Sequence, residues 1–229
     1  MRPIYMRPEE TVRFHQVCWD ERVAARKAAD VAKRIAQLDD TYQRSIGRLG
    51  TCYPRWPFAR LDNPAFRSRV SPVFLAAVEG YVPQEDGSLV LSGFTGCGKT
   101  SLVCARIDDE LRRAKEATVP GKTGSFLGFA FITGPELVQS RRQTRLGSGK
   151  EAELVDLAMS IELLILDEVG FEASNEIVFD VLDRRLRTLS PTILTTGLRP
   201  KEFRERYGDA TWRRIAEQGA VFEDWKTDG

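Results

Sequence analysis

Gly93-Phe94-Thr95-Gly96-Cys97-Gly98-Lys99-Thr100 is a complete G-x-x-x-x-G-K-T match, and it stands between two recognisable segments. Ser88–Ser92 (SLVLS) reads as a strand and Ser101–Lys115 as a helix, the setting that this pattern needs to form a phosphate-binding loop. The glycines let the backbone curl so that its N–H groups converge on phosphate oxygens. The following helix turns its positive end toward the same charge. Gly93, Phe94, Thr95, Gly96, Cys97, Gly98, Lys99, Thr100 and Ser101 are therefore the candidate nucleotide-binding residues. Lys99 is expected to reach the β- and γ-phosphates and Thr100 to ligate magnesium. Cys97 occupies a variable position of the loop and reads as a tolerated small residue in preference to a redox switch.

Leu163-Leu-Ile-Leu-Asp-Glu168 supplies the second half of such a site. A buried apolar strand ending in two carboxylates places Asp167 at the sheet edge where nucleotides bind in open α/β folds. Asp167 is expected in the magnesium shell, and Glu168 is placed to polarise a water for attack on the γ-phosphate. An apolar strand ending in Asp-Glu also arises by chance; its conjunction with the phosphate loop selects ATP hydrolysis. A small-molecule kinase has no use for an activated water, so the extra glutamate favours a hydrolysing, mechanical or switching ATPase.

Outward from these motifs, strand and helix signals alternate. Phe126–Thr133 and Thr192–Thr196 read as strands, and Pro135–Arg145, Glu176–Leu189 and Pro200–Gln218 as helical. Continuous apolar strands separated by helices predict an α/β fold with a parallel sheet flanked by helices. Before them, Tyr53–Phe58 (YPRWPF) and Leu61–Pro64 (LDNP) form a Pro- and aromatic-rich stretch in which prolines block a regular helix. This stretch divides the chain into a region over 1–52 and a domain over 53–229.

Residues 9–50 read as helical: Ala28, Ile35, Tyr42 and Leu49 recur every seven residues, with Val31 and Leu38 at the alternate seam positions. Such a stripe suits either packing on its own domain or a docking helix for a partner, and its polar, basic surroundings favour docking. The net charge of +1 hides an asymmetry, since residues 1–70 carry 14 Lys/Arg against 8 Asp/Glu. A basic front beside an acidic body allows contact with nucleic acid or an acidic protein surface. The 42% hydrophobic and 29% charged composition excludes disordered and collagenous classes. No run approaches the roughly 18 apolar residues of a membrane span, and no apolar leader segment follows the charged start. The expectation is a soluble, cytoplasmic protein without a membrane partner. Four cysteines, Cys18, Cys52, Cys97 and Cys104, are too few for a disulfide scaffold. His15 and Cys18 make half of a zinc pattern without its other half, so idle or buried thiols are the better reading.

Two arginine-bearing segments remain. Trp212-Arg213-Arg214-Ile215 could supply an arginine finger to a neighbouring subunit, or be a solvated basic helix face. Arg141, Arg142, Arg145 and Lys150 surround a Gly147–Gly149 break and could track a nucleic-acid backbone. No aromatic residue interleaves with them, so base stacking is unsupported; a solvated loop is the competing reading.

Taken together, these residues resemble the DnaC/IstB group of AAA+ P-loop ATPases, and its helicase-loader branch most closely. The resemblance covers about residues 53–225. It rests on the lead-in segment 53–63, Leu166-Asp-Glu-Val-Gly170, and Val181-Leu-Asp-Arg-Arg185 followed by Pro191–Thr196. It continues through Tyr207-Gly208 to Trp212–Ile215 and a last strand at Val221–Trp225. It implies an AAA+ fold with a small helical N-terminal region and no C-terminal lid domain, since the chain runs only 15 residues past Arg214. It places the finger on Arg214, alongside catalytic roles for Lys99, Asp167 and Glu168. Gly197 stands where the group usually carries the sensor-1 Asn, and Thr195 or Thr196 could substitute. The resemblance further implies ATP and Mg2+ as cofactors, a replicative DNA helicase docked on residues 9–50, single-stranded DNA, and ATP-dependent homo-oligomers. Two rivals differ in partner: an IstB- or TnsC-like ATPase that assists a transposase, and a nucleotide-gated adaptor with no DNA role.

Overall fold

The apolar runs become a five-stranded, wholly parallel sheet of order β2-β3-β4-β1-β5, with β1 at Ser88–Gly93, β2 at Phe129–Thr133 and β3 at Leu163–Val169. Strand β4 spans Thr192–Thr196 and β5 spans Gly219–Asp224. Every residue of β1, β2 and β4 is buried, as strands covered on both faces must be. The computed structural model describes residues 19–37, 39–40, 43, 59–117, 128–145 and 151–225. The chain divides into two compact units: Met1–Arg44 with Leu111–Ser125, and Ser45–Glu110 with Phe126–Gly229.

In the first unit, residues 19–37 form helix α1. Of the three expected stripe positions that are described, Val31 and Ile35, one helical turn apart, are half-buried and Ala28 is exposed. Leu38, Tyr42 and Leu49, with His15, Cys18, Cys52 and the boundary at 52, lie outside the described residues.

Three short helices precede β1 in the second unit, α2 at Pro64–Arg67, α3 at Pro72–Gly80 and α4 at Pro83–Asp86, and the first of them starts at a proline of the stretch read as blocking a helix. Proline starts each of them. The physical reason is positional: an N–H at the first helical turn has no partner to lose, and the fixed φ of proline already suits a helix there. The Asn63 side chain caps α2 at Ala65 N, and the Ser71 hydroxyl caps α3 at Phe74 N.

The crossover helices follow as α5 at Lys99–Ala117, α6 at Gly134–Arg145, α7 at Glu151–Ser160 and α8 at Glu176–Arg187. The segment 200–218, read as helical, forms two helices, α9 at Pro200–Tyr207 and α10 at Asp209–Gln218, broken at Gly208 with φ +88°. A left-handed glycine ends a helix by satisfying its last carbonyls; here Gly208 N donates to Arg204 O at 2.8 Å. The last strand begins at Gly219, two residues before expectation, and pairs with β1 along its whole length.

Ile132, Leu164, Leu166 and Leu194 of the sheet pack with Leu137, Val178, Val181, Phe203 and Ile215 of the helices in one core. Each such side chain contributes about 1.5–3 kcal/mol by leaving water. Arg185 is buried inside this framework: its guanidinium donates to the carbonyls of Ala158, Ile161 and Pro191 and to the Thr192 hydroxyl. Burial pushes its pKa down to about 10. The side chain ties the end of α7 to α8 and to the start of β4. No described helix is long and apolar enough to cross a membrane.

Candidate active site

The carboxyl ends of β1, β3 and β4 meet at one edge of the sheet, and the glycines, hydroxyls and carboxylates singled out above gather there. Gly93 ends β1, and the loop that follows is pressed against the segment before α3. Gly98 has φ +93°, and a Cβ on it would come within 2.6 Å of Val70 Cγ1. Ser71 N also donates to Cys97 O at 3.1 Å. Cys97 is buried, its thiol bonded to Phe94 O at 2.8 Å. Lys99 reaches back along the loop, its Nζ donating to Gly93 O at 2.7 Å and Phe94 O at 3.0 Å.

Thr100 begins α5 and donates its hydroxyl to the Asp167 carboxylate, 3.0 Å from Oδ1 and 3.1 Å from Oδ2. Thr195 of β4 also donates to Asp167 Oδ1 and accepts from Glu168 N at 3.2 Å. Asp167 is 3% exposed. Burial pushes its carboxyl up to about 6, against the opposing pull of the Thr195 and Thr100 hydroxyls; the neighbouring Glu168 charge acts with burial. Asp167 has no ion-pair partner among the described residues. The Asp167 carboxylate with the Thr100 hydroxyl beside it offers oxygen ligands suited to a hard divalent cation, so these residues fit magnesium.

Glu168 is the exposed residue of an otherwise buried strand. Its φ of +56° is left-handed, a conformation rare for a side-chain-bearing residue. The register between β3 and β4 shifts between Leu166 and Val169. This irregularity turns Glu168 out of the sheet and into a cleft of about 860 Å³. Lys99, Thr100, Glu168, Thr196 and Gly197 line it on one side. Ala59, Phe66, Arg69 and Val70 line the other.

Ala59 belongs to the lead-in segment 53–63, but Phe66, Arg69 and Val70 lie beyond it and escape the sequence reading. The signal available was the Asn63-Pro64 cap, which starts α2 and carries Phe66 to the cleft. Arg69 is exposed and has no ion-pair partner among the described residues.

Both threonines at the sensor position are engaged. Thr195 serves Asp167, while Thr196 donates to Val169 O at 2.6 Å and accepts from Leu198 N at 3.0 Å. Gly197 adds no side chain. A Cβ there would stand 3.0 Å from Phe171 Cζ, so the ring of Phe171, 64% exposed, occupies the neighbouring space.

Beside the cleft, the loop after β3 is anchored by a second carboxylate. Glu172 accepts from Gly170 N at 2.7 Å, from Arg206 Nε at 3.2 Å and from the Tyr207 hydroxyl. Burial, with the Glu172 carboxylate beside it, holds the Tyr207 hydroxyl well above its ordinary pKa.

Arg214 does not line its own chain's cleft. It lies on α10 and pairs with Asp183 of α8 at 2.7 Å. Arg141 of the expected basic cluster pairs with Glu176 and Asp180 at 3.8 and 3.5 Å. The side chains of Arg142 and Arg145, and all of Lys150, fall outside the described residues.

Residues 75–215 match the family described as IstB-like ATP binding protein. The chain belongs to that family. It is a DnaC/IstB-type AAA+ ATPase, and its parallel sheet with flanking helices is the fold expected. The DnaC helicase loader has a similar fold at 20% identity and TM-score 0.53, covering 74% of this chain and 98% of that one. Domain III of the Thermotoga maritima replication initiation protein DnaA is similar at 17% identity and TM-score 0.53, covering 73% of this chain and 67% of that one. The replication initiator DnaA bound to AMPPCP and single-stranded DNA matches at 21% identity and TM-score 0.51, covering 73% of this chain and half, 50%, of that one. No curated protein sequence matches the chain significantly.

Proposed function

We propose that this ATPase is a helicase loader that binds a replicative DNA helicase and single-stranded DNA, and hydrolyses ATP to switch or release. The observation that carries the ATP cycle is the pairing of carboxylates with opposite exposure at the end of β3. Asp167, buried against Thr100, would hold magnesium, which would neutralise charge on the β- and γ-phosphates. Glu168, turned outward by its left-handed backbone, would orient the attacking water and accept its proton. Lys99 would exchange its loop carbonyls for phosphate oxygens, a charge-assisted bond for two neutral ones. The base would sit toward Phe66 and Val70, with Arg69 nearby. Arg214, which does not line its own cleft, would complete the site of a second copy, so hydrolysis would follow assembly.

The loader role is supported by match to nearly the full length of the DnaC helicase loader and by α1, whose Val31 and Ile35 face suits a partner helix. The region over 1–52 would then dock the helicase and 53–229 form the motor. DNA contact is supported by the DnaA initiator of like fold that binds single-stranded DNA. In the basic cluster it would fall to Arg142, Arg145 and Lys150, because Arg141 is committed to α8. The match to IstB-like proteins favours a second reading, an ATPase that prepares target DNA for a transposase.

The test is capture by the full chain carrying E168Q, which should bind ATP and lose turnover by about 10²–10³-fold. Replicative helicase retained with ATP and released with ADP is the expected outcome. Retention of the transposase encoded beside it, with no helicase, would replace the first reading by the second.

A further inference from the structure

Arg213 and Arg214 are adjacent on α10, yet they are held differently. Trp212 and Ile215 bury the other face of the helix, and Trp212 packs on Phe203 with ring centroids 5.3 Å apart. The backbone at both arginines is thereby fixed. The Arg213 side chain is 72% exposed, with only a 3.7 Å contact to Glu217 on its own helix. Arg214 is 40% exposed, and its Nη1 donates to Asp183 Oδ1 at 2.7 Å.

Asp183 is itself secured: it is 20% exposed, and its Oδ2 pairs with Arg187 at 2.8 Å. One carboxylate therefore serves two guanidinium groups, leaving the trio with a net positive charge. The contact with Arg214 uses one nitrogen only, so Nε and Nη2 stay available to an external anion. Fixing an arginine's rotamer beforehand removes an entropic cost that would otherwise fall on the encounter with phosphate.

We propose that Asp183 is a positioning residue for hydrolysis: through Nη1 it presents the Arg214 fork to the nucleotide in a second copy's cleft. The proposal rests on the reading that Arg214 acts in trans. It assigns the acidic residue of the Leu182-Asp183-Arg184-Arg185 stretch a role in turnover, while Arg185 is consumed in the core.

The full chain is assayed at protein concentrations where turnover per subunit has stopped rising. D183A is expected to lower kcat about 10-fold with KM for ATP and the nucleotide Kd within twofold of the parent. D183N, which keeps the Oδ1 acceptor, is expected to recover kcat to within about threefold. R214A is expected to abolish stimulated turnover, and mixing R214A with E168Q chains to restore part of it. R213A is expected to stay within twofold. A dead R214A beside a D183A of parental kcat overturns the positioning role alone. Parental turnover in R214A overturns the trans reading, and the inference with it. A D183A effect confined to KM or nucleotide Kd also overturns it.

Discussion

Two buried carboxylates stand five residues apart on either side of Glu168, and their surroundings are opposite. Asp167 is met by neutral donors alone among the described residues, the hydroxyls of Thr100 and Thr195 and the Glu168 backbone N–H. Glu172 is met by a guanidinium, a phenol and a backbone N–H. The first has its charge desolvated without a cation and its pKa pushed up to about 6; the second has its charge matched. The folded chain has thus spent Glu172 on architecture, joining the loop after β3 to α9, and has left Asp167 for something from outside.

Breaking the satisfied carboxylate should do the greatest damage. E172A strands Arg206 and Tyr207 and frees Gly170 N, and losing one side of a buried ionic network costs about 3–5 kcal/mol. In a chain of this size that corresponds to a fall in melting temperature of roughly 10 °C, read by calorimetry. A fall of only a degree or two would mean that Glu172 is no better satisfied than Asp167, and the contrast would be lost.

The opposite sign is expected for D167N. Because the folded pKa of about 6 lies above the ordinary value of 3.8, this group favours folding most below pH 4. That contribution is lost as pH rises through 6. The displacement corresponds to about 3 kcal/mol of penalty above both values. In nucleotide- and magnesium-free buffer at pH 7.5, D167N should therefore be more stable than the parent by about 1–3 kcal/mol. The gain should vanish near pH 4, and ATP turnover should be lost at every pH. Urea unfolding at the two pH values checks it; a destabilised D167N at pH 7.5 would show that the hydroxyls satisfy the carboxylate after all.

The same contrast explains what was legible beforehand. Residues whose chemistry is carried by a fixed local spacing were readable: Gly93 to Thr100, and Asp167-Glu168 after an apolar strand. The parallel sheet followed from the continuous apolar runs of its strands, whereas their order in the sheet did not. Residues that reach the site through tertiary packing were not. Phe66, Arg69 and Val70 arrive at the cleft because Val70 seats on Gly98, a contact with no sequence period. Glu172 draws its partners from 34 and 35 residues away. Pro64 misled in a different manner, since the rule that proline breaks helices holds for interiors and reverses at the first turn. That Arg141 pairs with α8 was not legible either, because its acidic partners Glu176 and Asp180 lie a full crossover later.

Across the cleft from the carboxylates, R69A tests whether the unpredicted wall takes part. Arg69 is an exposed cation without an ion-pair partner among the described residues, beside a site that would hold a polyanion. Its removal should weaken ATP and ADP binding alike by about 3- to 10-fold, close to the 1 kcal/mol expected of a partly screened contact. Titration of a fluorescent nucleotide against the full chain measures both. Equal affinity of R69A and parent for both nucleotides would confine recognition to the phosphate-loop side.

The smallest effect is expected where two cleft glycines look alike and differ in what they touch. At Gly98 a methyl group meets Val70 at 2.6 Å with φ at +93°, so both space and backbone forbid it. At Gly197 the nearest atoms are the far end of the Phe171 ring at 3.0 and 3.1 Å, and that ring is 64% exposed. An exposed side chain can rotate a few tenths of an ångström away at little cost, whereas the β-branched Val70 beneath a phosphate loop cannot. G197A should therefore change stability by less than about 1 kcal/mol and leave ATP binding intact, as measured by thermal unfolding with and without nucleotide. A large loss in G197A would mean that the Phe171 ring is fixed against Gly197 as firmly as Val70 is against Gly98. Both walls of the cleft would then be rigid, and the exposed ring would be a built part of the site.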